Sequence, residues 1–75
     1  MEYRAKFMCG NWVANGFGKT DQQAVEAGIL DSVTLRERCR TKPDQVALVV
    51  TQEYADGESL IRFVGTYLQW IIHTS

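Results

Sequence analysis

The sequence predicts a small single α+β domain over residues 1–75, with an antiparallel sheet carrying two helices packed on one face in the order ββαββα. Three observations predict it. Tyr3, Ala5, Phe7 and Cys9 alternate with Glu2, Arg4, Lys6 and Met8 up to a Gly10-Asn11 pair. Val46, Leu48 and Val50 alternate in the same way after Pro43. Apolar residues recur at helical spacing after Thr20 and again towards the C-terminus. Composition agrees: 75 residues, 45% hydrophobic and 23% charged, are ordinary for one globular core and leave no room for two.

The first strand turns at Gly10-Asn11, where glycine accepts the positive φ of a two-residue hairpin. The return strand then carries Trp12, Ala14, Gly16 and Gly18 on the apolar face and sets Lys19 opposite Glu2. Its small residues let a helix come close to the sheet. Thr20 is the expected cap of that helix, with Gln23 completing a capping box and Asp21 at the positive end of the dipole. From Val33 to Arg40 the pattern switches, and Val33, Leu35, Glu37 and Cys39 alternate with Thr34, Arg36, Arg38 and Arg40. This predicts a third strand paired with 45–52. The competing reading continues the helix, with Thr34 and Glu37 as a second capping box. Thr41-Lys42-Pro43-Asp44 is a turn, and Val46 to Thr51 is apolar enough for a central strand. After Ala55-Asp56-Gly57, Leu60, Val64, Tyr67, Leu68 and Ile71 form the apolar stripe expected of a final helix.

Charge and cysteine usage narrow the function. Eight Lys and Arg against nine Asp and Glu leave a net charge of -1, which gives no general attraction to polyanions. Met1 is followed by Glu2, Arg4 and Lys6 with no apolar core of signal-peptide type, and Cys9 and Cys39 do not form a disulfide framework, so a cytoplasmic setting with reduced thiols is expected. The same two cysteines and the single His73 lack metal-ligand spacing, and no carboxylate pair declares acid/base chemistry. The expectation is therefore no enzyme, no cofactor and no metal. Gly18-Lys19-Thr20 opens a helix as a phosphate-binding loop does, but Val13 stands where that loop requires its first glycine.

Two short stretches resemble known families. Gly10-Asn11-Trp12-Val13-Ala14-Asn15-Gly16 is similar to the opening of the triosephosphate isomerases, with Val13 in place of the catalytic lysine and a chain far shorter than the barrel. Gly16-Phe17-Gly18-Lys19-Thr20, followed by Ala24 and Ala27, is similar to the last strand and helix of double-stranded RNA-binding domains. That resemblance implies an RNA contact at the helix start, where Asp21 and Gln22 occupy the lysine positions.

One constellation points to binding. With four strands in one sheet, Arg4, Lys6, Lys19, Arg36, Arg38 and Arg40 are expected to project from the face opposite the helices, with Phe17, Met8 and Val13 between them. The function expected is a non-enzymatic protein that docks onto a protein partner with an acidic surface, of the kind found among phage- or mobile-element inhibitors and regulators of host machinery. The alternative is an RNA-binding module that uses Phe17 for stacking and the arginines for phosphates. The strand edges and the apolar Trp70-Ile71-Ile72 also suggest a homodimer.

Overall fold

The computed structural model describes residues 2–75. The elements run β1 (Glu2–Cys9), β2 (Trp12–Gly18), α1 (Asp21–Leu30), α2 (Val33–Thr41), a short 3-10 turn (Pro43–Gln45), β3 (Ala47–Glu53), β4 (Ser59–Thr66) and α3 (Tyr67–Thr74). The four strands form one antiparallel sheet in the order β2-β1-β3-β4, with helices packed against it, so the chain is a small α+β domain.

Local chemistry accounts for each boundary. Gly10 takes φ 61° in the first hairpin, whose register sets Cys9 opposite Trp12 and Tyr3 opposite Gly18. Thr20 Oγ1 accepts from Gln23 N at 3.1 Å, while the Gln23 side chain accepts from Lys19 N, one residue earlier than a standard capping box. Pro43 opens the 3-10 turn, and β3 follows as a central strand with Leu48, Val50 and Gln52 buried. The core joins Ala5 and Phe7 of β1, Leu48 and Val50 of β3, Val46, Ala24 and Val25 of α1, Leu35 and Cys39 of α2, and Trp70 of α3.

Two segments differ from the sequence expectation. Val33–Thr41 is a helix, not a strand paired with 45–52, and Ser32 caps it by accepting from Leu35 N at 3.2 Å. Leu35 and Cys39 lie four residues apart, a spacing that serves one face of a strand and one face of a helix equally well. The discriminating positions are Val33 and Glu37, which would share that strand face but are exposed. Arg, Leu and Glu are also better helix formers than the β-branched residues that strands favour. The second difference is Ser59–Thr66, expected as the start of the final helix and found as β4. Its Leu-Ile-Arg-Phe-Val run suits a strand, and the helix begins only after Thr66.

Candidate protein-docking face

Among the described residues, the three helices lie on one side of the sheet and leave the other side uncovered. Strand pleating decides what projects there. β1 contributes Glu2, Arg4, Lys6 and Met8, β2 contributes Val13, Asn15 and Phe17, and β3 contributes Ala47, Val49, Thr51 and Glu53. In β4 the register shifts between Val50 and Thr51, so that Ile61 faces Thr51, Phe63 faces Val50, and Arg62 is the extra residue between them. The bulge returns Val64, opposite Val49, to the uncovered side.

The pairing lays these residues out in rows across the sheet. Phe17, Arg4, Thr51 and Ile61 form one row, and Asn15, Lys6, Val49 and Val64 form the next. Val13, Met8, Ala47 and Thr66 form a third. Four apolar side chains on this side are half exposed or more: Val13 50%, Phe17 52%, Ile61 62% and Val64 67%. Arg4 reaches Glu53 at 3.8 Å, and Thr51 Oγ1 is buried beneath the surface without a hydrogen-bond partner among the described residues. Lys6 and Arg62 are exposed, and Lys19 lies just past the end of β2. With the Arg4–Glu53 pair set aside, Lys6 and the corner Lys19 outnumber the remaining acid of this face, Glu2.

Among the residues singled out from sequence, Arg4, Lys6 and Phe17 thus share one face, with Lys19 at its corner. Arg36, Arg38 and Arg40 do not join them, because α2 belongs to the helical layer on the other side. There Arg36 Nη2 donates to Leu30 O at 3.1 Å, tying α2 to the end of α1. Arg40 pairs with Glu37 one turn earlier, which holds the Glu37 carboxyl below the usual carboxylate range. Arg38 lines a shallow groove along the outer side of α2 with Val33, Glu37 and Lys42. The single basic face expected from sequence is therefore two surfaces on opposite sides of the domain.

Ile61 and Val64 are not legible as face residues in the sequence, because the apolar spacing from Leu60 reads as a helix. The signal that locates the boundary is Thr66-x-x-Gln69, a capping box in which both reciprocal bonds form.

Among the described residues no helix is long and apolar enough to cross a membrane. In comparisons with known proteins, the chain matches no family model, no curated protein and no solved structure.

Proposed function

We propose that this domain is a non-enzymatic protein-binding module that docks the uncovered sheet face onto an acidic surface of a protein partner. The observation that carries the reading is the grouping of Val13, Phe17, Ile61 and Val64 with the cations Arg4 and Lys6 on a face that no described element covers. An aromatic and β-branched centre with arginine and lysine around it has the composition of interface cores and rims. Positive charge left over after the Arg4–Glu53 pair favours an acidic rim on the partner. In this reading the domain works in the cytoplasm and regulates or inhibits by occluding its partner, a role that phage- and mobile-element proteins of similar size perform on host machinery.

The test is a binding titration against a partner isolated with the native chain, repeated at two ionic strengths. Phe17→Ala and Lys6→Glu are expected to weaken binding by roughly tenfold or more each. Arg38→Glu, on the opposite side, is expected to leave affinity within about threefold. Equal losses for Lys6→Glu and Arg38→Glu would shift the site to both surfaces. A steep log-linear fall with salt across unrelated RNA sequences would replace the protein partner with the RNA reading.

A further inference from the structure

We infer that the chain forms a homodimer in which the β2 edges of two copies pair antiparallel about a two-fold axis at Asn15, joining their sheets into one of eight strands. This inference does not depend on the docking partner proposed above, although the dimer would merge two docking faces into one.

The sheet has two edges, and they are built differently. β4 carries a bulge and a charged residue, Arg62, at its middle, both of which hinder the addition of another strand. β2 carries neither. Its seven residues, Trp-Val-Ala-Asn-Gly-Phe-Gly, include no charge and no proline, and its register with β1 runs without a break from Trp12 to Gly18. Proteins ordinarily protect such an edge, and this one is left open.

The backbone of β2 is prepared for a partner. The two-residue turn makes Cys9 and Trp12 a hydrogen-bonded pair, so alternation directs the N–H and C=O of Trp12, Ala14, Gly16 and Gly18 towards β1. The same alternation points those of Val13, Asn15 and Phe17 outward, where no strand of the described residues lies. When Asn15 faces Asn15 of the second copy, Val13 faces the copy's Phe17 and Phe17 faces its Val13. Every outward N–H and C=O of both strands is then matched, and every facing pair lies on the same side of the sheet. Val13 and Phe17, 50% and 52% exposed, become apolar cross-strand pairs, and the two Asn15 side chains meet as neutral amides.

The helical layer allows the same approach. α1 packs on β2 and β1, so a copy paired at β2 brings its own α1 alongside on the same side of the joined sheet. Gln23 of α1 sits over Gly18 at the β2 edge, and Ala27 follows one turn later. Both of these residues are uncharged.

The experiment is sedimentation equilibrium on the full chain from micromolar to submillimolar concentration, with amide hydrogen exchange across the same range. The wild-type chain is expected to dimerise with a micromolar constant, and the amides of Val13, Asn15 and Phe17 to gain protection as concentration rises while the β4 edge does not. Asn15→Pro removes only an outward N–H, so the chain should keep its circular dichroism and sediment as a monomer. Asn15→Asp is the second variant: its carboxylate faces Lys6 within the chain but faces a like charge across the axis, so it should fold and weaken the dimer severalfold. A wild-type chain that stays monomeric throughout overturns the inference. So does a dimer that survives both substitutions, or one whose new protection lies along β4. None of these readings involves the docking partner, so they stand apart from failure of the proposed function.

Discussion

Gly16 of β2 and Gly28 of α1 meet backbone to backbone. A Cβ on Gly16 would lie 2.7 Å from Gly28 Cα and closer still to Gly28 N and to the carbonyl oxygen of Ala24. A Cβ on Gly28 would stand 2.5 Å from Phe7 Cε1. These two glycines set the height of α1 above the sheet and bring Ala24 and Val25 into the core. Gly16→Ala is therefore expected to destabilise the domain by about 3 kcal/mol, the upper end for overpacking, because the obstructing atoms are backbone and cannot move aside. Gly10→Ala is the contrast: nothing lies within 4 Å of the added Cβ, and only the φ of +61° opposes it, at about 1 kcal/mol. Urea denaturation of the two variants separates them, and equal losses would mean that α1 can lift without cost.

Thr51 supplies a prediction of the opposite sign. Its hydroxyl is buried in the uncovered face and finds no hydrogen-bond partner among the described residues, although the residue sits mid-strand with its backbone in the ladder. Valine has nearly the same shape and favours strands equally well. Thr51→Val should thus raise stability by about 1 kcal/mol, which for a domain of this size is roughly 4–8 °C in the melting temperature. A melting temperature that falls would show that the hydroxyl is satisfied in solution.

The sequence makes legible those parts of the fold in which local and global signals agree. The first hairpin, its Gly10-Asn11 turn, the Thr20 cap and the central strand of Val46, Leu48 and Val50 each combine a period with a boundary residue. The α2 segment is illegible by period alone, because Leu35 and Cys39 fit both periods and the arginines that alternate with them merely coat a helix. β4 and α3 are joined without a loop, so two short periods run together and read as a single long helical stripe from Leu60 to Ile71. The candidate site inherits both errors. Its β1 and β2 residues are visible in the sequence, whereas its β4 residues require the Thr66 boundary.

The two cysteines are expected to differ in reactivity. Burial pushes the Cys39 thiol up to about 11, with the neighbouring Cys9 adding to the shift, whereas Cys9 is only half-buried at the end of β1. Thiol-reactive reagents should label Cys9 first in the folded chain and reach Cys39 only through unfolding. The same shift links stability to pH. The folded-state value lies above the ordinary 9.0, so the stabilisation is intact below pH 9.0 and is lost as pH rises towards about 11, where the unfolded chain releases a proton that the folded chain retains. Tyr67, also raised by burial, acts in the same direction. Denaturation curves on both sides of pH 9.0 should show that decline, and Cys39→Ala, though less stable overall, should show less of it.

The last prediction concerns the point at which β4 becomes α3. Thr66 Oγ1 accepts from Gln69 N at 3.1 Å while Gln69 Oε1 accepts from Thr66 N at 2.8 Å, and Tyr67 N donates to Val46 O at 2.8 Å. This box ends the strand and aims α3 back over the sheet, where Trp70 meets Phe63 edge-on at 5.1 Å and His73 lies beside the same ring. At eight residues, α3 is too short to persist without its cap and this packing. Thr66→Ala should cost about 1 kcal/mol, and Gln69→Ala a similar amount. Because each residue supplies half of one reciprocal pair, the double variant should lose less than the sum of the single variants, by about 0.5 kcal/mol or more. Backbone chemical shifts should show residues 67–74 fraying while the ladder from Val49–Val64 to Glu53–Ser59 remains. Strictly additive losses, or loss of the β4 ladder in Thr66→Ala, would show that β4 and α3 are held by something other than this box.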